Sequence, residues 1–62
     1  MEKLIIYRDF GGLKVTAESN YNVRCADAHK ITDCSAFESA EDVREYFVKY
    51  FGSRDEDFID LT

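Results

Sequence analysis

The stretch Ser39-Ala40-Glu41-Asp42-Val43-Arg44-Glu45-Tyr46-Phe47-Val48-Lys49-Tyr50-Phe51-Gly52 reads as one helix from cap to cap. Ser39 is a good N-cap, because its hydroxyl accepts a bond from an amide that the first turn leaves unpaired. Asp42 follows at capping-box spacing, and Glu41 and Asp42 set negative charge against the positive end of the helix. Val43, Tyr46, Phe47, Tyr50 and Phe51 recur at i, i+3, i+4, i+7 and i+8, which makes one apolar stripe. Glu45 and Lys49 pair across one turn on the wet side. Gly52 supplies the left-handed residue that ends such a helix.

A striped helix needs a surface to bury itself on, and the upstream residues supply one. Lys3–Phe10 and Leu13–Glu18 flank Gly11-Gly12, the pattern of a tight β-hairpin. Setting Phe10 opposite Leu13 gathers Leu4, Ile6, Phe10, Leu13, Val15 and Ala17 on a core face. Asp9–Lys14 and Tyr7–Thr16 then pair on the other face. Arg8 is the misfit among the apolar residues and is expected to reach for an edge. A third strand is expected over Asn22–Asp27 after a three-residue loop, Ser19-Asn20-Tyr21, and Lys30–Cys34 offers a short fourth with Ile31 as its apolar residue. The tail, residues 53–62, fits either a short helix or a returning edge strand. Ser53 and Glu56 at capping spacing favour the helix.

The expected fold is therefore α+β, a single compact domain over residues 1–62. An antiparallel three- to four-stranded sheet, hairpin first, carries one amphipathic helix on one face and ends in a short C-terminal helix or strand. A chain of this size buries only about 60% of the surface its unfolded form exposes. Four Tyr and five Phe are needed simply to fill the core, so function is expected on the outside.

Charge is distributed unevenly. Met1–Phe37 carries five acids and five bases, whereas Glu38–Thr62 carries eight acids and three bases, which accounts for the whole net charge of −5. A field of that sign repels nucleic acid and membrane phosphates and attracts basic grooves. The eight bases are scattered and do not interleave with aromatics, so no direct nucleic-acid contact is expected.

No catalytic constellation emerges. His29 is the single histidine and has no nucleophile at a telling spacing, and Gly11-Gly12 lacks the strand-to-helix context of a phosphate loop. Cys25, His29 and Cys34 offer three zinc-type ligands, with Asp27 or Asp33 as a fourth. They lack the closely spaced cysteine pair of structural sites, and no metal or other cofactor is expected. The longest apolar run, Leu4–Tyr7, is too short to span a bilayer. With no signal-peptide pattern and two cysteines read as free thiols, the chain is expected to be cytoplasmic, away from membranes and a monomer.

The hairpin from Leu4-Ile5-Ile6-Tyr7 through Val15, followed by Phe37-Glu38-Ser39-Ala40-Glu41-Asp42-Val43-Arg44-Glu45-Tyr46-Phe47, resembles in overall plan the small anti-CRISPR proteins of phages and mobile elements. That resemblance implies a non-enzymatic inhibitor of a type I CRISPR effector complex, working in the cytoplasm of a bacterial host, some members of the group acting by imitating the charge of DNA. On this reading Glu38, Glu41, Asp42, Glu45, Asp55, Glu56, Asp57 and Asp60 form the partner-binding surface, with Tyr46 or Tyr50 as edge anchors. The partner is a protein with a basic, nucleic-acid-binding groove. A rival expectation is a small regulatory or antitoxin-like module that binds through an apolar edge strand, Leu4-Ile5-Ile6.

Overall fold

A computed structural model describes residues 2–24 and 26–62. The chain runs β1 (Leu4–Asp9), β2 (Gly12–Ala17), α1 (Glu18–Asn22), a 3-10 turn (Ala28–Lys30), β3 (Thr32–Asp33), α2 (Ala40–Phe51), a second 3-10 turn (Asp55–Asp57) and β4 (Phe58–Asp60). The four strands form one sheet in the order β3-β2-β1-β4. The fold is α+β as expected, but the sheet is mixed: β2 and β3 pair antiparallel, whereas β4 lies parallel to β1. Parallel neighbours need a long crossover, and α2 is part of it.

The hairpin forms with its register moved by one pair. Ile6 faces Val15 and Arg8 faces Leu13, so Phe10 and Gly11 become the turn itself. Phe10 leaves the expected core face and stands fully exposed at the tip. The glycine with positive φ is Gly12, at 109°, and a Cβ there would come within 3.0 Å of Ser35 Cβ and 3.2 Å of Ser35 Cα. Gly12 thus permits both the turn and the close approach of the loop that follows β3. Lys14 now faces Tyr7 rather than Asp9, and its ammonium bridges Asp33 of β3 at 3.1 Å.

On one face of the sheet Ile6, Leu13 and Val15 meet Val43 and Ala40 of α2 together with Cys34, and Leu4, Phe37, Phe47 and Phe58 pack around them. The helix obeys its caps: Ser39 Oγ accepts from the Asp42 amide at 3.3 Å, and Gly52 is left-handed at φ 70°.

The other face departs from expectation. In place of a third strand over Asn22–Asp27, the chain turns into α1 directly after β2. Cys25, within that expected strand, lies outside the described residues. In-plane pairing would leave the second face open to water, and that face carries Ile5. With α1 laid across it, Ile5 is 3% exposed and Tyr21 meets Tyr7 edge-on at 5.1 Å. Burying an isoleucine contributes about 1.5–3 kcal/mol, enough to outweigh the modest strand propensity of this stretch. The Lys3 carbonyl and the Glu2 carboxylate accept from the Glu18 and Ser19 amides and satisfy the exposed start of α1.

Asn20, expected in a turn, is the buried clasp of this layer. Its Nδ2 donates to Thr16 Oγ1 at 2.7 Å and to the Asp27 carbonyl at 3.3 Å, while its Oδ1 accepts from the Asp27 amide at 2.9 Å. Thr16 in turn donates to the Lys30 carbonyl at 3.1 Å. One side chain thereby does for residues 27–30 what a ladder would have done.

The tail is a strand rather than the favoured helix. Its capping pair sits one residue later than expected: the Arg54 amide donates to the Asp57 carboxylate, and the Asp57 amide to the Arg54 carbonyl, both at 2.9 Å. Phe58, Ile59 and Asp60 then pair with Leu4, Ile5 and Ile6, and the Leu61 amide donates to the Ile6 carbonyl. The reason is the open side of β1, whose backbone groups would otherwise be left without partners beside a buried Ile5-Ile6 pair. Leu4-Ile5-Ile6 is consequently an interior strand, and the expected apolar edge is not available for pairing.

Two outcomes follow for stability. Gly12→Ala is expected to cost about 2 kcal/mol or more and Gly52→Ala about 1, because only Gly12 adds a clash to its positive φ. Asn20→Ala is expected to cost about 2 kcal/mol by leaving Thr16 and the Asp27 backbone short of partners. Urea unfolding of the three variants checks both, and equal losses at Gly12 and Gly52 would contradict the first.

Candidate binding surface

The acidic residues are laid out by α2 and the tail. Glu38 precedes the cap, Glu41 and Asp42 occupy the first turn, and Glu45 stands one turn further on, all four exposed. Asp55, Glu56 and Asp57 fill the 3-10 turn beyond the other end of the helix, and Asp60 ends β4. Twelve residues of helix span about 18 Å, so Asp55–Asp57 lie beyond the end of α2 opposite Glu38, Glu41 and Asp42, whereas Asp60 is close enough to α2 to feel the charge of Arg44. Asp57 shares a concavity of about 430 Å³ with Phe51, Gly52, Ser53 and Arg54 at the C-terminal end.

Few of these charges are neutralised. Among the described residues there are two ion pairs, Lys14–Asp33 at 3.1 Å and Arg54–Glu56 at 3.5 Å. The second involves two exposed side chains and contributes little. Asp60 is held below the ordinary carboxylate value, first by the Thr62 hydroxyl and amide and more weakly by the charge of Arg44. Of the eight predicted partner-binding acids, seven have no basic side chain within ion-pair distance among the described residues.

The apolar stripe of α2 behaves differently from its sequence reading. Val43 is fully buried and Phe47 half-buried against the sheet, but Tyr46, Tyr50 and Phe51 are 40%, 61% and 66% exposed. The sheet beneath is too narrow to cover the whole stripe, since β3 is only two residues long. The uncovered rings cluster nonetheless: Tyr46 lies 5.3 Å from Phe37 edge-on and 4.7 Å from Tyr50, and Phe47 lies 5.2 Å from Phe51. Lys49 Nζ sits 5.3 Å from the centre of the Tyr50 ring, a cation–π contact.

Between this cluster and β3 runs a groove of about 460 Å³. Thr32, Asp33 and Cys34 form one wall, and Phe37, Tyr46, Phe47 and Phe51 form the other. The sequence named Tyr46 and Tyr50 as anchors but gave no sign of the groove, because the loop after β3 that builds its far wall has no periodicity. Cys34 is buried at the groove and burial raises its thiol pKa, with the Asp33 charge adding to the effect, so the protonated, unreactive form is favoured. Asp33 moves the other way, to about 2, held there first by the Ser35 amide and then by Lys14 and the Ser35 hydroxyl.

His29 lies exposed in the first 3-10 turn, where its amide donates to Asp27 at 3.0 Å. Among the described residues no group of three His, Cys, Asp or Glu side chains could hold a metal ion, and no helix is long and apolar enough to cross a membrane. Cys25 lies outside the described residues.

No protein-family model matches the chain, and neither a curated protein nor a solved structure does.

Acid titration tests the wall of the groove. A carboxyl whose value is depressed in the folded state gives stability that is full above 3.8 and disappears as pH falls through about 2. The stability difference between the native chain and Asp33→Asn is expected to be largest near neutral pH and to shrink across that window. Urea unfolding at several acid pH values measures it, and a difference constant with pH contradicts the assignment.

Proposed function

We propose that this protein is a non-enzymatic inhibitor that binds a nucleic-acid-processing complex, in the manner its resemblance to anti-CRISPR proteins implies. Its carboxylates along α2 and the tail occupy a Lys/Arg-lined channel built for nucleic acid. The observation that carries this reading is the row of unneutralised acids: Glu38, Glu41, Asp42, Glu45 and Asp55 are exposed, with no base in ion-pair range among the described residues. Glu41 and Glu45 stand one helical turn apart on α2, about 5–6 Å. A series of fixed anions on a rigid rod displaces counterions from a basic channel as a nucleic-acid backbone does.

Glu41, Glu45, Asp55 and Glu56 can be altered without touching the core, since all four are exposed and none belongs to the Ile6–Val43 cluster. That separates binding from folding. The test compares the native chain with a variant carrying lysine at Glu41, Glu45, Asp55 and Glu56, each used to capture partners from bacterial lysate containing CRISPR effector complexes. The native chain is expected to retain an effector subunit that DNA competes away, and the variant to lose it by a factor of about 100 or more. Equal retention by both forms would overturn the reading.

A further inference from the structure

We infer that the groove between the loop after β3 and the aromatic face of α2 seats an arginine-bearing apolar segment of the partner protein. The inference rests on the reading of the partner as basic, and it adds an anchor that charge alone does not supply.

Three observations point to that occupant. First, the space has room for more than one side chain: about 460 Å³, with Phe37, Tyr46 and Phe51 along one side and the buried Cys34 at the other. An aliphatic side chain placed there meets ring faces and a protonated thiol. Second, the rings at its mouth attract cations. Tyr46 and Tyr50 stand 4.7 Å apart with their outer surfaces largely exposed, and Lys49 already sits 5.3 Å from Tyr50. A planar guanidinium stacks on such a face better than an ammonium. Third, the surrounding charge is negative. Asp33 lines the groove, Glu38 follows Phe37, and Asp42 precedes Tyr46 by one turn. Lys14 is bound to Asp33, Lys49 lies over Tyr50, and Arg54, beside Phe51 in the neighbouring concavity, pairs with Glu56.

A second copy of this chain is a poorer occupant. Each copy carries −5, so two copies repel one another. An exposed aromatic cluster ringed by carboxylates fits a basic partner with an apolar centre.

The test titrates isotope-labelled protein with two blocked peptides followed by amide NMR shifts. One alternates arginine with leucine, and the other has serine for each leucine. The leucine peptide is expected to bind about tenfold more tightly, shifting residues 33–37 and 46–51. Phe51→Ser, at an exposed position lining the groove, is expected to reduce that advantage while leaving serine-peptide binding unchanged. Should the variant unfold, the shift map of the native chain still decides.

Equal affinity for both peptides, with shifts confined to 38–45 and 55–60, overturns the groove as a seat and leaves the acidic surface standing. Failure of both peptides to bind overturns the groove and the basic-partner reading together. Dimerisation of the free protein through residues 46–51, seen as concentration-dependent shifts, assigns the groove to a second copy and also overturns the inference.

Discussion

The backbone of β1 has to be satisfied on both sides, and the rest of the structure follows from how this is achieved. Ile5 and Ile6 are both buried, one on each face of the sheet, so β1 must be an interior strand covered above and below. β2 supplies one flank through the hairpin. The other flank is filled only when the last strand returns after α2, with Phe58 against Leu4 and the Leu61 amide on Ile6. The same return packs Phe58 against Phe47 at 6.0 Å and fixes the position of α2 over Ile6 and Val15. In a chain of 62 residues the C-terminal strand is therefore as central to the fold as the hairpin.

Covering the second face demanded a different device. No long helix is left for it, and α1 is only five residues, too short to be stable by itself. It is held by tertiary bonds instead: Lys3 and Glu2 at its start, Tyr7 under Tyr21, and the Asn20–Thr16–Lys30 chain of hydrogen bonds through its middle. A buried asparagine satisfied at both ends of its amide costs little and pins the following loop, whereas a half-satisfied one would be a liability.

The elements legible in the sequence are those whose signals are local. Ser39, the 3.6-residue stripe and Gly52 defined α2 to the residue, because caps and periodicity act within one element. The hairpin was legible in its existence and in the face taken by Leu4, Ile6, Leu13 and Val15, but not in its register, which carries Phe10 into the turn, since either Gly11 or Gly12 could serve there. What settles that choice is non-local: Gly12 must let Ser35 approach. The sequence of Asn22–Asp27 pointed to a strand. The need to cover Ile5 outweighed it, and nothing near Tyr21 in sequence signals that need. Likewise the Ser53–Glu56 spacing is a genuine capping signal, one residue out of phase, and the unpaired flank of β1 decided what followed it. Of the candidate surface, the acids were readable one by one, as charges must be. Their division between the two ends of α2, and the groove beside Tyr46, depend on where β3 and the loop after it come to rest.

The surface that results sets carboxylates at both ends of a rigid helix with an uncovered aromatic cluster between them. The central functional claim is that the carboxylates act as a substitute polyanion. Its most direct measurement is the affinity of the protein for the captured effector complex as salt is raised from about 50 to about 200 mM. Counterion release predicts a linear fall of log affinity against log salt, amounting to about 100-fold or more over that range. An affinity that does not change with ionic strength would contradict the account.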